Sequence, residues 1–187
     1  MENKLPLLGS QRVDTLSGQT GFTLIELLVT LSILAIMLSI AVPSFMTLVQ
    51  NSRLVGQAND LITALNYARS EAIKRGVRVS VCSRLDNTTC SGAGVVNWDA
   101  GWLVFVDPIN FGTIDAGETV LQVRQPLENG NTLRTAGIQR VTYQNSGFSG
   151  NADTFRLCDS RGTASGRAIA VSLQGRVTIG TGTTACP

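Results

Sequence analysis

Residues 22–42 read FTLIELLVTLSILAIMLSIAV, a 21-residue apolar run whose sole charge is Glu26. At about 1.5 Å per residue, a helix of that length crosses a hydrocarbon core roughly 30 Å thick. The run is therefore expected to be a membrane-spanning helix. Ahead of it, residues 1–21 are polar, carry Glu2, Lys4, Arg12 and Asp14, and show no apolar periodicity. A secretory signal peptide has a shorter apolar core, about 7 to 15 residues, followed by a cleavage site of small residues. Ser39-Ile40-Ala41 imitates such a site, but the helical pattern continues straight through it. A carboxylate well inside a spanning helix costs about 2.5 to 3.5 kcal/mol on insertion scales, so Glu26 needs a partner. No basic side chain lies one turn away. A chain cut between Gly21 and Phe22 would supply one: the new amino group of Phe22, on the same chain or on a neighbour.

Composition narrows the function classes. The chain has 187 residues, 43% hydrophobic and 15% charged, which is a foldable composition. A net charge of +2 does not by itself indicate a nucleic-acid binder. Histidine is absent, which removes the usual general base and the commonest metal ligand. No GxSxG nucleophile motif or phosphate loop is present, and an enzyme is not expected. The same holds for a cofactor or a bound metal. Four cysteines, none in a CxxC, fit two disulfides in an oxidising compartment better than a zinc site. Cys82 and Cys90 flank a short polar loop and Cys158 pairs by nearness with Cys186, although four cysteines permit three connectivities.

Beyond Pro43 the apolar residues thin to a stripe. Leu48, Val49, Leu54, Val55, Ala58, Leu61, Ile62, Leu65, Ala68, Ala72 and Ile73 recur at intervals of three and four, the pattern of a helix facing a core. Lys74 and Arg75 suit a helix C-terminus, and Gly76 suits the cap after it. Pro43 removes one helical hydrogen bond, so a kink is expected there. After Gly76 the period changes to two in residues 77–81, and strands are expected there and at 102–106, 120–123, 140–143, 154–158, 168–173 and 176–179. Turn clusters separate them, among them Asn129-Gly130 and Gln174-Gly175. The expected fold is α+β, a long N-terminal helix packed on an antiparallel β head. Asp107, Asn110, Asp115 and Glu118 around Gly112 and Gly117 invite a calcium-loop reading, but their spacing departs from the EF-hand pattern and an acidic hairpin turn is expected.

Gly21-Phe22-Thr23-Leu24-Ile25-Glu26 before an apolar run resembles the prepilin signature of type IV pilins and type II secretion pseudopilins. Pro43, the twenty-second residue counted from Phe22, stands where such pilins commonly carry a proline. Trp98 and residues 101–107, with residues 167–177 near the end, resemble the GspH/FimT group of minor pilins and minor pseudopilins, its FimU- or FimT-like members most. The resemblance implies a pilin-like head of two sheets. It implies a leader at 1–21 that prepilin peptidase removes, cleavage between Gly21 and Phe22, and methylation of the Phe22 amine. It divides the remainder into a transmembrane and filament-core half-helix at 22–43, an amphipathic half at 44–76 and a periplasmic head at 77–187. Glu26 and Pro43 are the implied assembly residues. Implied partners are other minor and major pilins and an inner-membrane assembly platform. The implied location is the inner membrane in a single pass, then the pilus at the cell surface. The implied function is a minor type IV pilin at or near the tip that primes assembly and supports twitching motility, adhesion or DNA uptake. Two alternatives are a minor pseudopilin of a type II secretion system and a DNA-binding minor pilin. FimT-like members that bind DNA carry a Gly-Arg-x-Arg motif, whereas this chain reads Gly175-Arg176-Val177-Thr178. From residue 134 onward six arginines face only Asp153 and Asp159, and Arg161, Arg167 and Arg176 are the candidate phosphate contacts.

Overall fold

The computed structural model describes residues 21–92, 94, 97–110 and 112–186; the expected leader lies outside them apart from Gly21. Helix α1 covers Leu24–Arg75 and includes Pro43. Strands β1 (Val79–Ser83), β2 (Trp102–Val106), β3 (Val120–Arg124), β4 (Thr132–Arg134), β5 (Arg140–Tyr143), β6 (Asp153–Cys158), β7 (Arg167–Val171) and β8 (Val177–Thr181) follow. The chain divides into two compact units, with the boundary in the sequence between Ser44 and Phe45.

In the first unit every residue from 21 to 44 is exposed. This stretch of α1 is apolar on all sides, so water would oppose it and a hydrocarbon environment would not. Three of its hydroxyls are satisfied within the helix. Thr30 donates to the Leu27 carbonyl at 2.9 Å, Ser32 to Leu28 at 2.8 Å and Ser39 to Ile36 at 2.7 Å. Such bonds remove the cost of carrying a free O–H into lipid.

In the second unit α1 buries Leu54, Ala58, Leu61, Leu65, Ala68 and Ala72 of the expected stripe together with Ala64, whereas Leu48, Val55 and Ile73, also expected there, are exposed. Each buried leucine on that face contributes about 1.5 to 3 kcal/mol of transfer free energy. The head is two four-stranded antiparallel sheets, ordered β3-β2-β1-β5 and β4-β6-β7-β8. One core joins the helix stripe to Val79, Val81, Trp102 and Val104 of the first sheet and to Leu133, Phe155, Leu157, Ile169 and Val171 of the second. Trp98 meets Phe155 edge to face, with centroids 4.8 Å apart and planes at 86°. Such a pair contributes about 0.5 to 1.5 kcal/mol beyond its buried area.

All seven expected strands are found, two with the expected ends and the others displaced at one or both ends by at most two residues, and β4 is one that the sequence pattern did not suggest. With three residues it is too short to show a period. The expected run at 77–81 is observed as Val79–Ser83; just before it Arg78 extends the register with β2 by one bond, its carbonyl accepting from the Asp107 N–H at 3.0 Å, and its Nε donates to the Asp107 carbonyl at 3.1 Å.

Alternation identifies the inner face of β1 but not the burial of its outer face. All five β1 residues are buried. Cys82, Leu103 and Phe105 form a second small cluster, with Cys90, Ile114 and Val120 packed on it. Both disulfides are those that nearness suggested, Cys82–Cys90 and Cys158–Cys186.

Candidate functional site

The helix start is built by its own sequence. Thr23 is the N-cap: its Oγ1 accepts from the Glu26 N–H at 3.2 Å, and its carbonyl accepts from the Leu27 N–H at 3.1 Å. Glu26 therefore occupies the third helical position, where an acid is favoured by the exposed N–H groups and the positive end of the helix dipole. Thr-x-x-Glu is a capping box by spacing, so the motif around the expected cut also encodes where α1 begins. Phe22 lies just outside the helix and is 83% exposed. Gly21, Phe22 and Glu26 thus share one exposed N-terminal turn, whereas Pro43 lies some twenty residues further along α1.

At the other end of the helix Glu71 is nearly buried and pairs with Arg75 at 2.6 Å and Lys74 at 3.6 Å. The Arg75 hydrogen bond holds its carboxyl below the usual glutamate value. Two residues before Glu71, Arg69 reaches into the head, its Nε donating to the Gly147 carbonyl at 3.0 Å and its Nη2 to the Gln174 carbonyl at 3.2 Å. One guanidinium therefore ties the turn after β5, in the first sheet, to the β7–β8 turn of the second. These turns touch so closely that a Cβ on Gly175, at φ 75°, would stand 2.2 Å from the Gly147 carbonyl oxygen.

The acidic loop at 107–118 is organised by its own backbone. Asp107 Oδ2 accepts from the Gly112 N–H at 2.8 Å and from Ser80 Oγ at 2.5 Å. Asp115 Oδ2 accepts from the Asn110 N–H at 3.0 Å, and Glu118 Oε2 from the Asp115 N–H at 2.9 Å. These carboxylates hold a turn together, as the acidic-hairpin expectation has it. Among the described residues no three acidic or cysteine side chains converge as a metal site. Asp107 is fully buried, and burial pushes its carboxyl above the usual aspartate value against the opposing hydrogen bonds from Ser80 and Gly112. The loop it anchors covers the outer face of β1, where Ser80 also lies 2.6 Å from Thr142 of β5.

The three candidate arginines do not form one cluster. Arg161, in the β6–β7 loop, is committed to Asp159, with Nη2 2.6 Å from Oδ2. Burial raises the Asp159 carboxyl, but the several contacts from Arg161 together bring it below its ordinary value. Arg167 opens β7 and donates to the Ser165 and Gly166 carbonyls at 2.9 and 3.0 Å. Arg176 is exposed in the turn at the opposite end of β7, about 16 Å from Arg167 at the rise of an extended chain. The structure instead places Arg134 and Arg156 directly across from each other on β4 and β6, with Arg134 paired to Asp99. Sequence reasoning missed this pair because their separation carries no local signal.

Residues 57–175 match the family model described as Type II transport protein GspH, and residues 16–42 match that of the prokaryotic N-terminal methylation motif. Two crystal forms of the type IV minor pilin FimU from Pseudomonas aeruginosa share the fold. One superposes with a TM-score of 0.55 at 21% identity, covering 72% of this chain and all of that one. The other gives 0.57 at 20% identity, covering 74% and 98%. No curated protein matches the chain.

Proposed function

Because the chain belongs to the GspH family of pilin-like proteins, we propose that it is a minor type IV pilin, held in the inner membrane by a single pass and then built into a pilus at or near its tip. The observation that carries this reading is the exposed apolar first half of α1, which opens on a methylation motif with Glu26 in its first turn. A helix of this kind is stable in lipid, and equally stable among like helices in a filament core. Prepilin peptidase cuts between Gly21 and Phe22 on the cytoplasmic side, and the amine it frees at Phe22 becomes the counter-ion of Glu26 on the same or a neighbouring chain. That pairing lowers the cost of the intramembrane carboxylate and sets the register of one subunit against the next. The head, in the periplasm, contacts other minor and major pilins, and the subunit serves twitching motility, adhesion or DNA uptake through the filament it helps to start. The family description favours a second reading, a minor pseudopilin of a type II secretion system.

Mass spectrometry of filaments sheared from the native cells tests the proposal. A peptide that begins with methylated Phe22 in the pilus fraction supports it. A processed chain confined to the envelope moves the assignment to the secretion system, and a chain still carrying Met1 overturns the pilin reading. Glu26→Ala should leave cleavage intact and reduce the chain in filaments at least tenfold; wild-type incorporation would remove the role given to Glu26.

A further inference from the structure

Four strands end the two sheets, and three of their edges are obstructed. The β4 edge is occupied by residues 97–99, through an Asn97↔Arg134 bridge and a Trp98 N–H bond to the Leu133 carbonyl at 2.9 Å. The β5 edge is taken by the turn that follows it, through a Tyr143↔Ser149 bridge and a Gly150 N–H bond to the Thr142 carbonyl at 2.8 Å. The β3 edge is irregular opposite Val104 and Phe105, and it carries Arg124, paired to Asp60 of α1 at 2.7 Å. Bulges, charges and covering segments are how natural sheets prevent unwanted pairing.

β8 has none of these. It reads Val-Thr-Ile-Gly-Thr, with no charge and no proline, and pairs with β7 in unbroken register from Val171↔Val177 to Arg167↔Thr181. Its backbone phase follows from the bonds at its two ends. Ser172 N–H donates to the Arg176 carbonyl at 3.0 Å, and Gly182 N–H to the Gly166 carbonyl at 2.9 Å. Antiparallel pairs alternate between bonded and non-bonded, so Ala170↔Thr178 and Ala168↔Gly180 are the bonded ones. Val177, Ile179 and Thr181 then point their N–H and C=O groups out of the sheet. Among the described residues nothing accepts or donates to them. The chain after β8 leaves the edge open, since Thr183 N–H bonds to the Thr163 carbonyl at 2.9 Å and Cys186 is tied to Cys158 on β6. Ile179 faces the core side by its register with buried Ile169, yet it is 49% exposed.

We propose that the outer edge of β8 receives an extended backbone segment of a different subunit of the same filament, which adds a fifth strand to the second sheet. The proposal rests on the filament reading above. Three donors and three acceptors recurring at every second residue, about 7 Å apart, are matched by a polypeptide strand and not by a phosphodiester or a lipid. The half-exposed Ile179 calls for an apolar side chain beside it on the incoming strand. A second copy of this chain does not fit that role. Antiparallel self-pairing of β8 places a twofold axis normal to the sheet, and this axis reverses the helix lying along the sheet, whereas subunits drawn from one membrane need their helices to run the same way.

The test uses the full-length chain in the native cells, with the photo-crosslinker p-benzoylphenylalanine in place of exposed Thr178, alone and combined with Ile179→Pro or Thr181→Lys. The N–H lost at residue 179 points outward, so proline there leaves the β7 ladder intact, and the lysine variant is a second obstruction that keeps the backbone unchanged. The expected result is an adduct with one other subunit bearing the N-methylation motif, mapped by mass spectrometry to an extended segment and reduced at least tenfold by each variant. No adduct, an adduct that ignores both variants, or an adduct of the chain with itself overturns the proposal. The N-terminal peptide in sheared filaments is measured in the same cells. Its presence without the adduct leaves the filament reading standing while the edge proposal falls, and its absence removes both.

Discussion

Opening the two disulfides separately should give unequal losses of stability, in an order set by loop length. Cys158–Cys186 spans a separation of 28 residues and Cys82–Cys90 a separation of 8. The chain-entropy relation gives about 3.6 kcal/mol for the first and about 2.5 kcal/mol for the second at 25 °C. For a folded unit of this size, about 3.6 kcal/mol lowers the melting temperature by roughly 8 to 14 °C. Alanine pairs avoid leaving a buried thiol: Cys158→Ala with Cys186→Ala, and Cys82→Ala with Cys90→Ala. Cys82 also packs against Leu103 and Phe105, so its pair has an added packing loss that narrows the gap between the two variants. The assay is thermal and urea unfolding of the full chain in detergent, followed by near-ultraviolet circular dichroism of buried Trp98 and Trp102. Amide exchange adds a spatial check, because losing the tail clip should speed exchange in β7 and β8 before β1 and β2. A loss below about 1 kcal/mol for the Cys158 pair at an unchanged m-value would refute the loop-entropy reasoning.

Two further predictions concern single residues of the head. Gly175→Ala combines a positive φ with a Cβ placed 2.2 Å from the Gly147 carbonyl oxygen, and it should cost about 3 kcal/mol or more in urea unfolding while exposing the Arg69 bridge to proton exchange. Asp107 should give a pH signature that separates it from Glu71. Its folded-state carboxyl titrates above the ordinary value of 3.8, so between those two values the folded state binds more protons than the unfolded one, and stability falls as pH rises through that window. Glu71 acts in the opposite sense: its contribution is present above 4.5 and is lost as pH falls through its lowered value. The stability of the wild type minus that of Asp107→Asn, measured by urea titration, should therefore decline as pH rises from 3.8; a flat or rising difference contradicts the burial argument.

Local chemistry and chain distance divide what was legible from what was not. The apolar half-helix, its capped start at Thr23 and Glu26, the buried stripe between Leu54 and Ala72 and the strands with clear alternation are encoded within windows of a few residues, where propensity and periodicity act. Both disulfides were readable because each pair is close in sequence or anchors a terminus. The processing motif is likewise a contiguous string, and so is the family resemblance that rests on it.

Tertiary structure alone decided the rest. β4 is legible only beside β6, since three residues have no period of their own. Ser80 and Thr142 read as polar outward positions, yet both are buried, because the loop anchored by Asp107 folds over that face. Arg69 looks like a solvated helix residue until the chain brings Gly147 and Gln174 to it from 78 and 105 residues away. The sequence by itself determined the helix, the methylation motif and the supply of strands, since these depend on neighbours along the chain. Strand order, the covered outer face and the open edge of β8 among the described residues depend on which distant segments share the core, and that is settled only when the whole head packs.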